Sequence, residues 1–161
     1  MLPMLLEHMA WADARARASI AEMPPSAIRD RAVSLYAHIV AIECAWLARF
    51  ERRTPEHAQW PAWSFETASA LATSSAAGLQ SIATAAGSDG LSMMIRYRNR
   101  AGVECENRLW EILMHIVLHG TYHRGQIALL ARAGEGVPAS TDFSTFLADR
   151  SVSPPPDVIC G

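Results

Sequence analysis

Cysteine is scarce and scattered in this 161-residue chain: Cys44, Cys105 and Cys160 are odd in number, widely spaced and form no Cys-x-x-Cys pair. That pattern argues against a disulfide framework and against a thiolate metal site. Cys160, in the tail, is the thiol expected to be exposed. Lysine is missing altogether, every basic residue being arginine, a bias that carries no mechanism by itself. An excess of one charge is lacking too. Fourteen basic against sixteen acidic residues give a formal net charge of −2, without the positive surplus that binding a phosphate backbone needs, so nucleic acid is not an expected partner. Long hydrophobic runs are also absent: Ala41–Ile42 and Ile127–Ala131 fall far short of the roughly 20 apolar residues of a bilayer-spanning helix. No membrane span is expected. The N-terminal stretch lacks a basic start, carries Glu7 early and has no small-residue cleavage site, so it does not read as a signal peptide, and the expected location is cytoplasmic.

What is present is helical periodicity. The length fits one domain over 1–161. From about Leu2 to Met23, Leu5, Met9, Ala12, Ala16, Ile20 and Met23 recur at helix spacing, and Pro24-Pro25 ends the run. A second helix spans about Arg29 to Arg53, with Leu35, His38, Ile39, Ile42, Trp46 and Phe50 on one stripe. The segment from Thr54 to Trp63, with two prolines and two tryptophans, reads as an ordered loop packed on the bundle, its His57 facing solvent. A third helix, about Ser64 to Ala86, is rich in alanine and serine and stops at Gly87-Ser-Asp-Gly90. Asn99-Arg-Ala-Gly102 marks the turn of a short hairpin between Ile95–Arg98 and Val103–Glu106. The fourth helix, about Arg108 to Ala133, ends at Gly134-Glu-Gly-Val-Pro138. A short helix over about 142–149 precedes an irregular tail at 153–161. Four long helices with one inserted hairpin give an all-α bundle over about 2–134.

Histidine placement then points to chemistry. His115, His119 and His123 sit four apart on the fourth helix. On the helical wheel Ile112 and Leu130 share a direction, with His123 about 20° and His119 about −20° from it, while His115 lies near −60° at about 100° per residue. His119 and His123 therefore belong to the core stripe. Buried imidazoles need partners, and an i, i+4 pair, about 5 to 6 Å apart at Cβ, can place two nitrogens on one ion. His115 lies two turns, about 12 Å, from His123 along the axis and cannot join that ion from a regular helix. A third ligand must come from another helix. His38 is the first candidate, on the stripe of Leu35, Ile42 and Trp46; His8, at the edge of its helix's apolar face, is the second. Gly120 stands where a zincin would carry glutamate, which disfavours that protease class.

The stretch His115-Ile-Val-Leu-His-Gly-Thr-Tyr-His-Arg-Gly-Gln-Ile127 closely resembles the last-helix signature of the DinB-like family, the DinB/YfiT metalloenzyme superfamily. Glu7-His-Met-Ala-Trp-Ala-Asp13 is similar to its first-helix motif, His38-Ile-Val-Ala-Ile-Glu-Cys-Ala-Trp-Leu47 to its second, and Thr141-Asp-Phe to its closing segment. Together these cover residues 2 to 149. The resemblance implies an up-down-down-up four-helix bundle, a homodimer, and a three-histidine metal site at His38, His119 and His123. It also implies a link to thiol-dependent transferases and isomerases that use low-molecular-weight thiols. Asp13 departs from the asparagine that many relatives carry.

Three neutral imidazoles leave an ion its full charge and at least one open position, the arrangement of a catalytic site. Zinc or nickel is the first expectation, with manganese or iron also suited to imidazole. The expected function is a metal-dependent enzyme, a thiol S-transferase or hydrolase, in which the ion activates a small thiol or water against a small electrophilic substrate. The alternative is a non-catalytic metal-binding protein induced by stress or damage. Glu43, one turn beyond His38, reads first as a solvated carboxylate and second as the one catalytic candidate, orienting a ligand or moving protons. Arg124 points about 100° away from the ligand stripe, toward an interhelix or interface role. Gln126 is a candidate for substrate or subunit binding, and Tyr122, Trp46 and Trp110 are expected to pack.

Overall fold

Each long helix begins where the sequence supplies a partner for its orphan amides or a residue that needs none. In the computed structural model, which describes residues 1–99 and 101–152, α1 (Leu2–Ala21) carries a proline in its first turn, where the missing N–H costs nothing. The Ser26 hydroxyl caps α2 (Ala27–Phe50) by accepting from the Arg29 amide at 3.2 Å, and Ser64 caps α3 (Phe65–Gly90) by accepting from Thr67 at 3.2 Å. Helical geometry in α3 breaks at Gly87, whose φ of +60° suits glycine. The strands β1 (Met94–Arg98) and β2 (Glu104–Arg108) pair antiparallel, with Tyr97 opposite Cys105. Their turn is held by the Asn99 side chain, which accepts from the amides of Ala101 at 2.9 Å and Val103 at 3.0 Å. At the start of α4 (Leu109–Ala133), the Glu111 carboxylate reaches back to the Arg108 amide at 2.7 Å. α5 (Phe143–Val152) continues past Asp149. The expected irregular tail at 153–161, with Cys160, lies outside the described residues.

Packing fixes the topology. α1 lies against α3 and α4, α2 lies against the same two, and α1 faces α2 across the diagonal. Leu2, Leu6 and Met9 at the start of α1 share a core cluster with Leu109 and Leu113 at the start of α4, and with Trp46 and Ala83 in the C-terminal parts of α2 and α3. At the other end, Ile20, Ile127 and Ala131 meet Leu35, Ile39 and Ala68. α1 and α4 therefore run one way and α2 and α3 the other, the up-down-down-up order. Because α2 and α3 are parallel, residues 51–64 must return along the bundle, and this crossover passes the histidines.

Burial follows the wheel, against the expectation for two aromatic residues of α4. Trp46 is buried, but Trp110 is 39% and Tyr122 66% exposed, and Leu118 and Leu129 are exposed on the same side of the helix as Tyr122. The expectation that Trp110 and Tyr122 pack in the core is corrected: the inward face of α4 is already filled by Ile112, Ile116 and Ile127. By length and composition alone α2 could cross a bilayer, against the expectation from its short apolar runs. Most of it is buried between α3 and α4, as in the central helix of a bundle.

Candidate metal centre

α4 brings His119 and His123 to its inward face, and α2 brings His38 to meet them. The Nε2 atoms of His38 and His119 are 3.2 Å apart, and the candidate ligand atoms of all three residues lie within 4.8 Å of one another. Two nitrogens bound tetrahedrally at about 2.0 to 2.1 Å from one ion would be about 3.3 to 3.4 Å apart, so the close pair already has the spacing of shared ligands. The other faces of two rings are tied back. His38 Nδ1 donates to the Gln59 carbonyl at 2.6 Å, and His123 Nδ1 donates to Gln126 Oε1 at 2.9 Å. Each bond places the proton on Nδ1 and leaves the Nε2 lone pair for an ion, which is how outer hydrogen bonds orient metal-ligating imidazoles. Trp60, carried by the crossover, lies flat on His38, 3.8 Å between centroids and 2° between planes.

Electrostatics favour the ligating form. Burial lowers the His38 pKa; burial, then the neighbouring His123 and His38, takes His119 down to about 3. Neutral imidazoles bind metal without first losing a proton. The donor set, three imidazole nitrogens facing one region, fits a metal ion.

The remaining histidines have other roles. His8, the second choice for third ligand, donates from Nε2 to the Thr141 carbonyl at 2.9 Å and packs between Phe143 and Phe146, fastening α5 to α1. His115 stands outside the cluster, its ring 5.7 Å from that of His119. His57 is half-buried with its ring 4.7 Å from Trp63, and so does not simply face solvent.

Beside the histidines lies a second, sealed polar cluster. Arg124 is completely buried and donates to Asp13 at 2.8 Å and to the Thr121 hydroxyl at 2.9 Å. This confirms its interhelix role and shows what Asp13 does: it pairs α1 with α4. Gly120 makes room for the guanidinium, since a Cβ there would sit 2.7 Å from Arg124 Nη1. Glu43 is buried as well, which corrects the reading of it as a solvated carboxylate. Its Oε2 accepts from the Ser75 hydroxyl at 2.5 Å, and Oε1 has no donor facing it. Burial, then the nearby Asp13 carboxylate, pushes the Glu43 pKa well up. Burial raises Asp13 too, with Arg124 pulling it back. Cys44, half-buried beside this cluster, is an inert thiol, pushed up to about 11 first by burial and then by Glu43.

A cavity of about 420 Å³ opens onto the histidines, walled by Trp46, Arg49, Trp60, Tyr97 and Arg98 among others. Glu43 is not part of this wall. The crossover residues Gln59 and Trp60 and the hairpin residues escaped the sequence reading, whose only signal was the pair of tryptophans in a short loop. Gln126, read there as a contact for substrate or subunit, accepts from His123 Nδ1.

Comparison with curated proteins gave no match, and comparison with solved structures gave none. The DinB family profile matches residues 2–151, nearly all of the described chain and every helix that supplies the three histidines. This chain therefore belongs to the DinB family.

Proposed function

We propose that the chain is a metal-dependent enzyme whose His38, His119 and His123 hold one divalent ion, zinc or nickel by preference, the ion supplying the charge that activates a small thiol or water against a small electrophile. The observation that carries this reading is the convergence of three imidazoles, two of them with Nδ1 fixed by a carbonyl acceptor. Gln59 and Gln126 set ring orientation and tautomer. Trp60 covers one face of His38 and limits water there. The open cavity admits a small molecule to the same point, as a catalytic site requires and a closed structural site does not.

Metal analysis of the purified protein beside His38→Ala, His119→Ala, His123→Ala and His57→Ala tests the ligand set. The first three are expected to fall below about a tenth of wild-type occupancy, as loss of one of three protein ligands should cause, while His57→Ala keeps its metal. Full retention in the three variants overturns the assignment. A screen of thiol transfer to model electrophiles and of hydrolysis tests the reaction. Metal binding without turnover in any of these assays moves the reading to a non-catalytic metal-binding protein.

A further inference from the structure

The cavity over the histidines has a wall without a carboxylate. Its charged and titratable lining is Arg49, Arg98, Tyr97 and histidine. Of the two guanidiniums, Arg98 is paired with Glu104 at 2.8 Å across the hairpin. Arg49 is different: among the described residues it has neither an ion-pair partner nor a hydrogen bond, and its guanidinium lies over the face of Trp46, 4.8 Å from the ring centroid. It is half-buried, and burial is the first cause of a lowered pKa. A partly desolvated guanidinium with no anion beside it is costly to hold. Its position explains the cost. Side chains on a helix lean toward the N-terminus, so Arg49 lies back over Trp46 toward His38, along the wall that joins it to the histidines.

Resting on the metal-centre reading, we infer that the cavity binds a small organic carboxylate, its acid group held by Arg49 and its reactive end at His38, His119 and His123. A planar guanidinium offers two parallel N–H donors to a carboxylate. One such fork matches a monoanion, and the second guanidinium of the wall, Arg98, is already taken by Glu104. With three neutral imidazoles around a divalent ion the cavity carries surplus positive charge, and an anionic ligand neutralises it. Trp46 and Trp60 supply apolar faces for the connecting carbons.

The probes are ω-mercaptocarboxylates of increasing chain length and their methyl esters, titrated into cobalt-loaded protein. Binding is read both by the sulfur-to-cobalt charge-transfer band and by calorimetry. One chain length is expected to bind at least tenfold more tightly as acid than as ester. In Arg49→Gln that preference falls to near unity with cobalt content unchanged, and Arg49→Lys restores part of it. Equal binding of acid and ester across the series overturns the inference, and so does a preference that survives in Arg49→Gln. Methyl phosphate binding more tightly than acetate overturns the choice of carboxylate. Should cobalt fail to bind, it is the metal reading that falls; calorimetry on the metal-free protein with the same acid and ester pairs still decides the role of Arg49.

Discussion

Two polar clusters sit next to each other on α4, and they meet the cost of burying polar groups in opposite ways. In the sealed cluster, Arg124 is answered by Asp13 and Thr121 and Glu43 by Ser75, with only Glu43 Oε1 and Arg124 Nε left without a partner among the described residues. In the open cluster, outward hydrogen bonds to Gln59 and Gln126 leave imidazole nitrogens facing one another at a cavity mouth. A buried polar group that is satisfied locally belongs to the stability of the fold. One that is held in place but left unsatisfied toward a common point belongs to a ligand.

The largest test of this contrast is Asp13→Ala, which leaves the Arg124 guanidinium buried without its anion. Loss of about 3 to 5 kcal/mol is expected, read by urea unfolding of the metal-free protein; a loss below about 1 kcal/mol, the size of an exposed pair, would erase the distinction. Next in size is Gln126→Ala. Releasing His123 Nδ1 should weaken metal affinity about 10- to 100-fold by competition with a chelator, with little change in metal-free stability. Stability lost along with affinity would put Gln126 in the fold rather than the site.

The smallest effects are in pH dependence, where the clusters carry opposite slopes. Glu43 has a raised pKa in the folded state, so above about 4.5 the unfolded chain has released a proton that the folded one keeps, and stability falls as pH rises. His119 has a lowered pKa. Between about 3 and 6.5 the unfolded chain holds a proton that the folded one lacks, so its contribution makes stability rise with pH. In metal-free wild type these slopes oppose each other from about 4.5 to 6.5. Glu43→Gln should uncover the rising slope and His119→Gln the falling one; identical pH profiles for the two variants would show that neither group titrates as its surroundings imply.

The helices were legible in the sequence because they rest on local periodicity, which also paired His119 with His123 and ranked His38 ahead of His8, while the full set of three came with the family resemblance. His119 and His123 are one turn apart, and His38 shares a stripe with Leu35, Ile42 and Trp46. Glu43 was not legible. Its burial depends on Ser75, Asp13 and Arg124, from three other helices, and no pattern within α2 reports them. The stacking of Trp60 on His38 was hidden for a similar reason: a loop's path across a bundle follows from the parallel run of α2 and α3, which periodicity does not encode. Tyr122 and Trp110 were misplaced because aromatic character was weighed above angular position, although both lie away from the stripe through Ile112 and Ile116.

His119 is followed by Gly120 and His123 by Arg124, so each cluster takes alternate members of two neighbouring pairs, about 100° apart around one axle. The contact of Arg124 with Asp13, seated in the space that Gly120 leaves open, fixes the rotational phase of α4, and the imidazoles inherit it. Damage to that lock is thus transmitted as an aiming error at His119 and His123, a fault of direction in a helix that is still intact.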